Sequence, residues 1–156
     1  MKKDLETRIR DLEAMHEIMN LESDYAYADD THDPELYASV FAEDGVIDFG
    51  PPVGRVAGRE SLKQLRSSDN THPFSMHCWH NPHIVVNGDT AKGRFYWEAS
   101  MTWAPTNEAV LVGGVSHEEF VKTAEGWKIK AKIVTMHYFT PYDKGWVKEK
   151  VMDLGI

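Results

Sequence analysis

The chain has 156 residues, 42% of them apolar and 27% charged, with a formal charge of −8 and a pI near 5.4. That is enough for one folded core and too little for two comfortable ones, and it is not the composition of a disordered chain. The acidic balance and scattered Lys and Arg argue against nucleic-acid binding. A single cysteine, Cys78, rules out an internal disulfide. With no apolar signal core and no run of membrane-spanning length, the expectation is a soluble cytoplasmic protein.

In chain order, Leu5, Ile9, Leu12, Met15, Ile18, Met19, Glu22 and Ala26 recur at helical spacing. They predict a first helix from about Lys3 to Asp30. Asp33-Pro34 starts a second, short helix, with Asp as N-cap and Pro at the first helical position. It carries Leu36, Val40 and Phe41, and Glu43-Asp44-Gly45 stops it. Val46–Phe49 reads as a short strand, and Val53–Ala57 as its hairpin partner. A third helix opens at Gly58 and runs to about Ser67. Four long strands follow, Phe74–Val86, Thr90–Thr102, Ala109–Val121 and Trp127–Tyr138. The turn at Asn87-Gly88-Asp89 is a strong hairpin signal. On the last strand Lys128, Lys130 and Lys132 alternate with Ile129, Ala131 and Ile133, which predicts one wet face. Helices first and an antiparallel meander after define an α+β fold, with the helices covering one face of the sheet.

Asp29 and Asp30 end the first helix, just past Tyr25 and Tyr27, and His77 sits among Phe74, Met76, Cys78 and Trp79. A carboxylate beside such a histidine orients its ring and makes the free nitrogen a better base. A tyrosine hydroxyl can hold a substrate oxygen. Composition and spacing alone favour the plainer reading, in which His77 is a core or interface histidine and Asp30 a solvated helix end. Five residues turn a helix by about 140°, so Tyr25 and Asp30 do not share a face, whereas Asp29 shares that of Tyr25 and is the fallback for Asp30. His72, His77, His80 and His83 crowd one segment, but without a Cys pair or a His-Glu ligand motif no metal site is expected. By strand parity His77 and His83 share a side and His80 does not, unless Pro82 kinks the strand. Phe49, Trp79, Trp97 and Tyr96 are candidate substrate contacts, as is His137, which follows the parity of Ile129 and Ile133 and can equally face another subunit.

Several motifs together carry a resemblance: Leu21–Asp30, Phe41-Ala42-Glu43-Asp44-Gly45, Ser75-Met76-His77, Gly113-Gly114, Gly126-Trp127-Lys128-Ile129 and Tyr138-Phe139-Thr140-Pro141. In this order the chain resembles the SnoaL-like branch of the nuclear transport factor 2-like superfamily along nearly its whole length, 1–156, as one SnoaL-like domain. The resemblance implies a cone-shaped α+β barrel: a curved, mostly antiparallel sheet backed by three N-terminal helices. Within the superfamily it is similar to the bile-acid dehydratases, scytalone dehydratases and hexachlorocyclohexane dehydrochlorinases, which eliminate water or HCl with a His–Asp pair. That likeness implies His77, Asp30 and Tyr25 as catalytic residues and no cofactor. Where the bile-acid branch has a further Asp and an Arg, this chain has Ala99 and Met136, which puts a steroid substrate in doubt. The expectation is a cofactor-free lyase on a small hydrophobic, cyclic substrate. Alternatives are a ketosteroid-isomerase-type isomerase, a non-catalytic ligand-binding domain or a dioxygenase small subunit. Val110, Val112, Val115, Phe120 and Val121 on one strand suggest a sheet face buried between subunits, hence a homotrimer or homodimer.

Overall fold

The structure is a computed structural model that describes residues 3–154. Helix α1 (Leu5–Asp30) begins at Asp4, whose carboxylate accepts from the Thr7 amide at 2.8 Å. Helix α2 (Pro34–Ser39) begins at Asp33, whose carboxylate accepts from the amides of Glu35 and Leu36. Such caps satisfy backbone donors that the first turn leaves open. Helix α3 (Arg59–Ser68) lies between β2 (Arg55–Ala57) and β3 (Phe74–Asn87). Strands β1 (Phe41–Asp48), β4 (Thr90–Trp103), β5 (Glu108–Thr123) and β6 (Gly126–Pro141) complete a six-stranded sheet in the order β2-β1-β6-β5-β4-β3. All pairings are antiparallel except β1 with β6. The sheet is curved and open, an α+β cone with the helices across one face.

Phe41 is the first departure from the expected elements. It begins β1 rather than ending α2, because residues 41–48 pair in parallel with β6, Phe41 opposite Ile129 and Val46 opposite Ala131. The register slips between these pairs, so Glu43-Asp44-Gly45 is a bulge inside a strand and not a helix stop. A Cβ on Gly45 would stand 2.8 Å from the Ala42 carbonyl oxygen and 2.9 Å from that of Ile129, which explains the glycine.

Three more irregularities reverse side-chain parity. Between His80 and His83 two residues of β3 oppose one of β4, so His80 and His83 both point outward while His77 points in. The side expected to be shared by His77 and His83 does not exist. In β6, Phe120 pairs with Ile129 but Glu119 with Ala131, leaving Lys130 as an extra residue. Beyond it the inward set becomes Lys132, Val134 and Met136, so Lys132 is fully buried and Ile133 is 53% exposed. The predicted wet face therefore ends at Lys130. A second slip opposite Gly113 and Gly114 makes His137 the extra residue, and it is exposed. On β5, Val110, Val112 and Phe120 are buried in the chain's own core, so they offer no surface to another subunit.

The core has two parts. One packs Ile18, Leu21 and Tyr25 of α1 against Phe41, Phe95, Phe120 and Ile129. The other, toward the far end of the long strands, holds Trp97, Met101, Trp103, Val112 and Phe139, with Met152 and Leu154 against it. Among the described residues no helix is long and apolar enough to cross a membrane.

Candidate active site

The end of α1 lies against β3, and this brings Asp30 to His77 across 47 residues of sequence. Asp30 Oδ1 accepts from His77 Nδ1 at 2.7 Å and from Ser75 Oγ at 2.8 Å, and Oδ2 accepts from the His77 amide at 2.9 Å. The carboxylate thus grips both the ring and the backbone of one residue. With the Nδ1 proton directed to Asp30, the neutral ring leaves Nε2 with its lone pair free. Burial works to raise the Asp30 pKa, but the hydrogen bonds from His77 and Ser75 outweigh it and hold the carboxyl below its ordinary range.

Asp29 stands on the other side of the ring, its Oδ2 3.7 Å from His77 Nε2. Its own partner is the buried guanidinium of Arg66, which also lies 2.9 Å from His72 Nε2 and 3.1 Å from His32 Nδ1. Burial pushes the Asp29 pKa up, but the hydrogen bond with His72, the charge of the His77 ring when it is protonated, and Arg66 bring it down to about 2. His77 therefore sits between two carboxylates, one on each ring nitrogen. Asp29 and Asp30 both stand at this ring, Asp30 on Nδ1 and Asp29 toward Nε2.

A cavity of about 420 Å³ opens in front of this group. Asp29, Arg66, His72 and His77 make its polar end; Phe49, Trp79, Trp97, Met101, Trp103 and Phe139 make an apolar remainder. Trp79 stacks on Trp97 with ring centroids 6.1 Å apart and lies 6.0 Å from the His77 ring. Tyr25 reaches the cavity, and its hydroxyl is 3.5 Å from that of Tyr37. Burial, then the proximity of Tyr37 and Asp29, push its pKa well above that of a free phenol, so it stays a donor. Tyr25 and Asp29 line the cavity and Asp30 does not, which resolves the spacing problem: Asp30 holds the histidine from behind. Of the expected substrate contacts, Phe49, Trp79 and Trp97 line the cavity. Tyr96, 47% exposed, and His137 lie outside it, on the outer side of the sheet. Ala99 is buried and Met136 lines the cavity, so neither position supplies charge.

Sequence reasoning missed the support beneath this wall. Lys132 Nζ lies 2.6 Å from Glu22 Oε2 and 2.7 Å from Glu118 Oε1, all three side chains being almost wholly buried. The ammonium also sits 4.2 Å from the Tyr25 ring centroid and 4.7 Å from that of Trp79. Burial first, and then the charge of Glu118, raise the Glu22 pKa well above the carboxylate range. Arg66 also went unnoticed; its only signal was sharing the buried face of α3 with Leu62 at i, i+4. Among the described residues no group of three or more His, Cys, Asp or Glu is arranged to hold a metal ion.

A helix-backed cone with a histidine and carboxylates at one end of an apolar cavity defines a small-molecule-binding fold. The chain belongs to the family of SnoaL-like domains, whose family model matches residues 10–132. An uncharacterized protein of Mycobacterium tuberculosis is 32% identical over 122 residues, covering 76% of this chain and 82% of that one. Among solved structures, the hexachlorocyclohexane dehydrochlorinase LinA-type3 of Novosphingobium barchaimii superposes with a TM-score of 0.80 at 20% identity, over 88% of this chain and 96% of its own. A candidate scytalone dehydratase of Novosphingobium aromaticivorans gives 0.76 at 25% identity, over 85% and 89%. A nuclear transport factor 2-like protein of Salmonella enterica gives 0.70 at 19% identity, over 86% and 96%.

Proposed function

We propose that this protein is a cofactor-free lyase that eliminates water or a hydrogen halide from a small, hydrophobic, cyclic substrate. The observation that carries the reading is His77, held by Asp30 at 2.7 Å through Nδ1 and lining an aromatic cavity. In this mechanism Nε2 removes a proton from a carbon next to an activating group. The C–H electron pair becomes the new double bond, and the leaving group departs with its bonding pair. The imidazolium that forms lies between Asp30 and Asp29, both ionised near neutrality, and the low-dielectric site makes that attraction large. The Tyr25 hydroxyl donates to a substrate oxygen. When hydroxide leaves, the proton on Nε2 passes to it and gives water; when halide leaves, it departs as the free anion and the proton passes from Nε2 to water, and either way the neutral ring is restored. Phe49, Trp79 and Trp97 pack against the ring of the substrate and keep water out.

The same proton transfer without a leaving group, with the proton returned to a different carbon, gives an isomerase. The dehydrochlorinase and scytalone dehydratase likenesses favour elimination. The test is a panel of cyclic β-hydroxy ketones and chlorinated cyclohexanes, assayed with the native chain and with His77→Ala. Turnover of a panel member by the native chain, lost in a folded His77→Ala, is expected. Turnover that survives His77→Ala would refute the mechanism.

A further inference from the structure

Helix α1 has a second apolar face that nothing above uses. Its inner face buries Ala14, Ile18, Leu21, Tyr25 and Ala28. On its outer face Leu5 is 68% exposed, Ile9 47%, Leu12 65% and Met19 45%. With His16, these positions advance by steps of four, three, four and three, which is the seam of a coiled coil. Leu5, Leu12 and Met19 fall at heptad position d, and Ile9 and His16 at position a. The buried residues Ala14, Ile18, Leu21 and Tyr25 fall at positions f and c, on the side turned away from the seam. At the flanking position g, Met15 is half-buried against the core and Glu22 is fully buried, so the seam itself is open from Leu5 to Met19, with Arg8 and position e exposed beside it.

We propose that the outer seam of α1 is a self-association surface, on which α1 of one copy pairs in parallel with α1 of a second copy. The residue types name the occupant. Ile at position a with Leu at position d favours two parallel strands, and one polar residue at position a, here His16, sets register at a cost in stability. Charge names the orientation. Arg8 at position g and Glu13 at position e are exposed and take part in no ion pair among the described residues. In a parallel pair, position g faces position e of the other helix five residues on, so Arg8 meets Glu13 of the partner twice by symmetry. An antiparallel pair would bring e to e, and these positions are Glu6, Glu13 and Asn20, with no cation among them. A lipid surface fits less well, since the flanks carry Glu6, Asp11, Glu13 and Glu17 against Arg8 and Arg10, and an anionic bilayer needs the reverse.

The seam spans about 21 Å, only two heptads. It is viable because packing on the sheet already holds the helix, so association does not have to nucleate it. A surface this small gives a concentration-dependent dimer rather than a permanent one.

Sedimentation equilibrium of the full chain, from about 1 to about 200 µM, tests this by mass action. The expected result is a monomer–dimer equilibrium that Leu12→Glu abolishes and His16→Leu tightens by about tenfold or more. These positions are exposed, and unchanged circular dichroism melts show that the variants fold. Arg8→Glu and Glu13→Arg should each weaken the dimer several-fold, and the double variant should restore it. A native chain that stays monomeric overturns the proposal, as does an oligomer unmoved by Leu12→Glu. Failure of the double charge swap to restore the dimer overturns the parallel pairing. Binding to anionic vesicles lost in Leu12→Glu would assign the seam to membranes instead. None of these outcomes depends on the catalytic reading.

Discussion

Replacing Asp29 by asparagine should remove part of the acid sensitivity of the fold. In the folded chain the Asp29 pKa is about 2, against 3.8 for an unperturbed aspartate. The difference of about 1.8 units corresponds to about 2.5 kcal/mol in full, since each unit is worth about 1.4 kcal/mol, of which about 2 kcal/mol falls within an accessible pH range. Because the folded value is the lower one, the ionised form favours the native state. The stabilisation is complete above about pH 4 and disappears as pH falls toward about 2. At neutral pH the Asp29→Asn chain should be the less stable of the two, because Arg66, 5% exposed, loses the nearer of its two counter-charges and keeps only Asp69 at 3.4 Å. Unpairing a buried ion costs on the order of 3 kcal/mol. As the pH is lowered the gap should close by about 2 kcal/mol, because only the native chain loses the Asp29 contribution. The depressed Asp30 carboxyl acts in the same direction in both chains and cancels from the comparison. Urea unfolding of both chains at a series of pH values from about 7 to about 2.5 measures this, with ΔG taken from linear extrapolation. A gap that stays constant over that range would refute the account of how Asp29 is held.

Asp30→Asn should lower kcat by about 10²–10⁴ with a smaller change in KM, because the ring loses its orienting carboxylate while the cavity wall is unchanged; steady-state kinetics decides it. Lys132→Met leaves Glu22 and Glu118 without their counter-ion and should cost about 3–5 kcal/mol in urea unfolding, most of it regained when both glutamates are also changed to glutamine. Gly45→Ala should lower Cm by the equivalent of about 1–3 kcal/mol, because the added methyl meets two backbone carbonyls in the β1 bulge.

The local signals in the sequence locate the helices and long strands to within a few residues, because caps, turn residues and hydrophobic spacing act locally. Asp33-Pro34 does start α2, and Asn87-Gly88-Asp89 does join β3 to β4. Bulges are different. Lys130 and His137 look like ordinary alternating residues, yet each is an extra residue in β6 and reverses everything after it. That is why Lys132 is buried, and why His137 is outside the cavity. The candidate site divides along the same line. The likeness to the family pointed to Asp30 and His77, and Phe49, Trp79 and Trp97 were legible as aromatic wall candidates, which the cavity lining includes. The contact itself bridges residues far apart in sequence and depends on how α1 crosses β3. Arg66 was invisible because a buried arginine looks like a solvated one until its partner Asp29 is placed in space. Leu5, Ile9 and Leu12 marked the helix correctly, but their spacing does not tell which apolar face packs on the sheet, and they belong to the other one.

Three of the five tryptophans, Trp79, Trp97 and Trp103, stand in the cavity wall. Trp127 is buried elsewhere, and Trp146 lies against Tyr138. Indole emission responds to polarity and to quenching groups at contact range, so a molecule entering the cavity should change the chain's intrinsic fluorescence without any label. The protein can thus be screened against compound libraries optically, before its reaction is known, and hits can be ranked by titration.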